Sequence, residues 1–270
     1  MRMSNRLSNV IWAAAAAAAL IAGGCAVESD QGTDKLAVGP APDSLKISSE
    51  EAGVAIQSAG GLDAWAGAKE IQIGCVATFY QEDGSYYLTE QLYEVFPWSN
   101  SVRISGREPG GEYAWEFQGG RLAVLQGESE YDGLQVGVDN GCIAEGILNL
   151  ITAPARLLDE GVDSKWSAET VKLEGQWYRP IKRAAKAGVD GAENLRDSGF
   201  YQKGSTGRVD MALMRCRGPD VVLIVRGYDY TLLGKDGVMI PSKIEAYKAD
   251  QSGTVRHRII QIDVGQADVR

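Results

Sequence analysis

From Ile71 the chain alternates strictly. Ile71, Ile73, Cys75, Ala77 and Phe79 are interleaved with Gln72, Gly74, Val76, Thr78 and Tyr80, a period of two that sends one set to each face of a β-strand. Related runs follow at Tyr86 to Phe96, Val102 to Ser105, Glu112 to Phe117 and Arg121 to Gln126, divided by turns such as Gly84, Pro109-Gly110-Gly111 and Gly119-Gly120. They resume at Val171 to Leu173, Trp177 to Lys182, Val209 to Arg215, Val221 to Tyr230, Val238 to Tyr247 and Thr254 to Val264. Short β-rich runs at this spacing predict an antiparallel meander, and the lack of β–α–β alternation argues against a parallel sheet. Residues 184–205, rich in Gly, Lys and Asp, read as a long exposed connection. Ala249 to Gly253 forms a hairpin loop.

Helical spacing interrupts this pattern. Ser48 with Glu51 three places on is a capping-box pattern, Val54, Ala55 and Ala59 continue one face, and Gly60-Gly61 stops the helix. Leu62 to Trp65 then predicts a short turn that packs a tryptophan on the core. In Cys142 to Glu160, Ile143, Ile147, Leu150, Ile151, Leu157 and Leu158 recur at the helical period. Asp139 or Asn140 can cap its start and Gly161 its end. Pro154 kinks or splits it, with Thr152 capping the second part. This segment is expected to close over the sheet, either as a cover or as a plain core helix. The fold class is therefore mainly β with helices (α+β). About ten strands form a strongly curved antiparallel sheet, an incomplete β-barrel with helices plugging its open side.

The N-terminus reads as an export signal. Arg2 and Arg6 precede an apolar run from Val10 to Ala22, with no acidic residue before Glu28. About a dozen apolar residues fall short of a membrane span but suit a secretory h-region. Ala22-Gly23-Gly24-Cys25 resembles a bacterial lipobox, with Ala22 where leucine is usual. Residues 1–24 are thus expected to be removed and Cys25 to be lipidated. Residues 25–45, rich in Asp, Gly, Ser and Pro, serve as a flexible tether, and 46–270 form one domain. The chain carries a formal net charge of −9, and removing Arg2 and Arg6 makes it more acidic. That balance argues against nucleic acid as a partner. Export allows one disulfide among the remaining cysteines, Cys142–Cys216 being the candidate pair, with buried free thiols as the alternative.

Catalytic motifs are sparse. The single histidine, His257, stands between Arg256 and Arg258 in the last β-run. That excludes three-histidine and HExxH zinc sites and leaves little for a Ser-His-Asp triad. There is no CxxC, phosphate loop or EF-hand motif, and no cofactor is expected. An envelope hydrolase would use the acidic cluster Glu128, Glu130, Asp132 and Asp139 around Tyr131, with Trp65, Trp98, Trp115, Trp166 and Trp177 as sugar platforms. Solvated turn acids and core tryptophans account for the same residues.

Two segments carry a family resemblance. Gly60-Gly61-Leu62-Asp63-Ala64-Trp65 follows a short helix, and Tyr228-Asp229-Tyr230 with Gly237 to Ile244 leads into the last hairpin. Together they resemble the LolA/LolB-like lipoprotein-sorting group over about residues 48–265. The resemblance implies an incomplete antiparallel barrel with an apolar cavity for acyl chains. It also implies a tethered lipid binder or acceptor rather than a soluble carrier. By the same resemblance Ala26, not aspartate, after the anchor implies the outer membrane. Candidate lining residues are Ile71, Ile73, Phe79, Leu88, Leu92, Val222 and Ile224, with Ile147, Leu148 and Ile151 on the cover. One chain of ~15 carbons could contribute on the order of 10 kcal/mol. The alternative function is a structural lipoprotein with a filled core that holds an envelope protein partner.

Overall fold

The computed structural model describes residues 45–108, 110–127, 138–186, 198–216, 221–234, 237–251 and 253–270. The leader, Cys25 and the tether up to residue 44 lie outside them, as do Glu128, Glu130, Tyr131 and Asp132. Among the described residues no helix is long and apolar enough to cross a membrane.

Two helices open the domain, α1 (Glu50–Gln57) and α2 (Leu62–Gly67). Ser49 caps α1 by accepting from the Ala52 amide at 3.2 Å, so the capping hydroxyl is one residue later than the Ser48–Glu51 spacing suggests. Gly60 turns the chain between them at φ 118°. A Cβ there would lie 1.8 Å from the Gly237 carbonyl oxygen, so no other residue fits. The Ala59 carbonyl accepts from the Met239 amide and from Trp65 Nε1, both at 3.0 Å. The two segments of the resemblance thus meet, and Trp65 is fully buried beneath them.

A first group of strands runs β1 (Ile71–Tyr80), β2 (Tyr86–Phe96), β3 (Ser101–Glu108), β4 (Gly111–Gln118) and β5 (Arg121–Gln126). Next come α3 (Asn140–Ile151) and α4 (Ala153–Leu157). The second group is β6 (Val162–Trp166), β7 (Val171–Leu173), β8 (Gln176–Ala185), β9 (Ser198–Lys203), β10 (Val209–Arg215), β11 (Val222–Leu233), β12 (Val238–Ala249) and β13 (Val255–Val269). All join one antiparallel sheet in the order β5-β4-β3-β2-β1-β13-β12-β11-β10-β9-β8-β6, with β7 beside β8. The first strand pairs with the last, Ile71 opposite Val269 and Phe79 opposite Ile260. β5 and β6 stand at opposite edges, so the sheet does not close. This is the open half-barrel architecture.

Two strands lie outside the sequence expectation. β9 occupies the end of the stretch read as a connection, and β6 precedes the expected restart at Val171. Both are short and lack a clean alternation of apolar and polar residues, so each is a strand only because a neighbour pairs with it. The helical insertion divides where Pro154 predicts. Thr152, however, does not cap α4 with its side chain; its hydroxyl donates to the Leu148 carbonyl of α3 at 2.7 Å.

Candidate functional site

The main core lies between the concave face of the sheet and α3. Asp139 Oδ1 caps α3 by accepting from the Cys142 amide at 2.8 Å. Every residue of α3 after Asn140 is buried, the polar Glu145 and Asn149 included. Gly146 permits the close approach: a Cβ there would come within 2.7 Å of Leu223 Cδ2 and 2.8 Å of Val225 Cγ2. Cys142 and Cys216 form a disulfide with Cα atoms 5.6 Å apart, tying the start of α3 to the end of β10.

The candidate lining residues divide by face. Ile71, Ile73 and Phe79 of β1 and Ile147, Leu148 and Ile151 of α3 come together in this core, each no more than 2% exposed. Leu88 and Leu92 do not join them. β2 pairs Phe79 with Tyr87 and Ile73 with Tyr93, so its odd-numbered residues face inward. Leu88 and Leu92 stand on the convex face, 57% and 38% exposed. Val222 and Ile224 are buried on the convex side too, with Met211, Ala249, Tyr178, Tyr201 and Tyr247. Their neighbours Leu223 and Val225 face α3.

The tryptophans do not form a platform. Trp65 and Trp115 are core residues, Trp98 and Trp166 pack against the core, and Trp177 is exposed on β8. Among the described residues one group has metal-ligand donors within reach of each other, Asp139, Cys142 and Cys216. The disulfide occupies its two sulfurs and helix capping its carboxylate. Cys75 is a buried free thiol on the inner face of β1, and burial pushes it up to about 12, which keeps it unreactive at neutral pH.

Three solved structures follow a similar course of chain. A LolA superfamily protein from Nitrosomonas europaea has 14% identity over 74% of this chain and 86% of its own, with a TM-score of 0.48. A DUF1329 family protein from Desulfovibrio piger has 12% identity over 81% and 91%, at 0.45. A structure described as an outer membrane lipoprotein-sorting protein domain, from Vibrio parahaemolyticus, has 9% identity over 82% and 93%, at 0.40. No family model matches the chain, and no curated protein does. Likeness at this level gives no residue of this chain a role.

The local geometry includes a charged cluster that no sequence motif signals. At the end of the core toward β6, two arginines are buried. Arg156 of α4 donates to the Pro97 carbonyl and lies 3.8 Å from Asp159. Arg183 of β8 stacks over the Phe200 ring, 4.8 Å from its centroid. Ser164 pairs with Arg183 across β6 and β8. The β8–β9 register pairs Lys182 with Gly199, which sets Ser198 at the next position, beside Arg183. Arg183 Nε and Nη1, Arg156 Nε, Ser164 Oγ and Ser198 Oγ are all buried with no hydrogen-bond partner among the described residues. Burial, then the neighbouring Arg156 charge, lowers Arg183 to about 10, with Asp159 and Glu145 acting the other way. The guanidinium remains charged at neutral pH. The signal available in the sequence is the phase of β8, in which Arg183 shares a face with Ile181. Ending that strand at Lys182 conceals it.

Proposed function

We propose that this protein is a membrane-tethered envelope lipoprotein, anchored through Cys25 and facing the periplasm at the outer membrane. Its concave β-face takes an acyl chain, with α3 as the movable cover. One observation carries the reading. The apolar inner face of an unclosed thirteen-strand sheet is covered chiefly by the twelve-residue α3, with α2 and α4 packed at its margins, rather than by a second sheet. A helix in that place can exchange its side chains for a hydrocarbon chain of similar bulk. Each methylene transferred from water contributes about 0.8 kcal/mol, so chain length sets affinity and no catalytic group is needed. The Cys142–Cys216 link holds the start of α3, so displacement proceeds from its α4 end. The family resemblance of the sequence points the same way.

The test is uptake of a fluorescent polyunsaturated fatty acid by the full chain. Emission should rise and saturate at one probe per chain. No uptake would contradict the reading.

A second reading has its own support. Ile147, Leu148 and Ile151 are packed to 2% exposure or less, as they would be in a permanently filled core. A protein partner would then be held on the outer surface. Stoichiometric recovery of one envelope protein, together with no uptake of fatty acid, would favour it.

A further inference from the structure

The unpaired donors around Arg183 are costly where they stand. A buried guanidinium nitrogen without a hydrogen-bond partner loses its hydration, and for Arg183 ring stacking on Phe200 and the charges of Asp159 and Glu145 offset only part of that loss. Arg183 is 7% exposed and Arg156 6%, and among the described residues no carboxylate lies within ion-pair distance of Arg183. Two serine hydroxyls from the strands on either side of Arg183 share the deficit. Four side chains on four elements therefore present unmet hydrogen-bonding groups to one small region, and both charged members are positive.

We propose that Arg183, Arg156, Ser164 and Ser198 form an oxyanion site that receives the carboxylate or phosphate headgroup of an acyl ligand whose chain lies on the concave face. The inference rests on the acyl-binding reading and adds the class of headgroup. An oxyanion supplies acceptors, which both guanidiniums and both hydroxyls can meet as donors. The apolar neighbours Ile181 and Phe200 belong to the same core as Ile147 and Leu148, so a chain leading away from the headgroup stays on apolar surface. Access is at hand. A groove of about 530 Å³ borders Ser164 and Asp159, its rim carrying Lys46, Lys165 and Lys186 together with Glu160 and Asp163. Positive and negative groups balance on that rim, so selection by charge falls to the interior. Asp159 already engages Arg156, and Glu145 of α3 opposes an anion from the cover side. The site therefore favours an anion more strongly once α3 has moved.

The test compares hexadecanoate, hexadecyl phosphate and hexadecanol by native mass spectrometry of the full chain, released from a tetraoxyethylene detergent. Inorganic phosphate alone is titrated by calorimetry. The proposal expects at least one of the two anions to bind more than tenfold tighter than the alcohol, and which one does so separates carboxylate from phosphate. In Arg183→Met the preference should disappear while alcohol binding remains. Ser198→Ala, a mild change that keeps the arginines, should lower the preference severalfold. Arg183→Met should also melt at or above the wild-type temperature, because an unpaired buried charge is removed. Equal binding of all three amphiphiles would overturn the anion site and leave the acyl reading standing. So would a preference that survives Arg183→Met. Should no amphiphile bind, the acyl reading fails. Calorimetry then decides the anion site alone: Arg183-dependent phosphate binding supports it, and absence of binding overturns it.

Discussion

At the scale of single residues, the phase of a strand decides what each side chain can do. β2 reads Tyr-Tyr-Leu-Thr-Glu-Gln-Leu-Tyr-Glu-Val-Phe, with polar and apolar residues at both odd and even positions. Its period was legible and its phase was not. Only pairing with β1 turns Tyr93 and Val95 inward and Leu88 and Leu92 out, because a shift of one residue exchanges the faces. β11 is ambiguous for another reason. Both of its faces are buried, so Val222 and Leu223 look alike in sequence. On the convex face Glu245 has a testable role. Burial opposes its charge, but hydrogen bonds from Lys243, Tyr247 and Arg258 outweigh burial and hold the carboxyl at about 2. A carboxyl lowered on folding stabilises the protein above its unfolded value, and that contribution is lost as pH falls toward the folded one. Glu245→Gln should therefore be less stable than wild type at pH 7. The gap should narrow from about pH 5 to pH 2 in urea unfolding, and a gap independent of pH would count against this account.

The helical insertion is the element on which function turns. Its existence, its split at Pro154 and its capping near Asp139 were readable from periodicity and from the chemistry of proline and aspartate. Its closeness to β11 was not, since a glycine inside a helix signals close packing or mere tolerance equally well. Gly146→Val tests the contact. The added side chain meets Leu223 and Val225, and overpacking of this kind costs about 1–3 kcal/mol. The variant should unfold at lower denaturant and take up the fluorescent fatty acid faster, since the covered state is the one destabilised. Lower stability with unchanged uptake would make α3 an ordinary core helix. β6 and β9 were the least legible elements, because their strand character comes from β8 between them.

On the scale of the whole molecule, the sheet runs from β5 to β6 without closing and joins its first strand to its last through β1 and β13. The antiparallel class, the curvature and the mid-chain cover follow from alternation, turn spacing and one helical interruption. The buried arginine cluster does not, because it is assembled from α4, β6, β8 and β9, which converge only in the folded chain. The open architecture leaves a concave apolar face with α3 across it and α2 and α4 at its margins, and the central claim is that this face holds an acyl chain. Native mass spectrometry of the full chain purified from the envelope tests that claim most directly. The account predicts one co-purifying lipid or fatty acid per chain, released by collisional activation and restored by incubation with hexadecanoate. A bare chain that stays bare after that incubation would contradict it and leave α3 as permanent core.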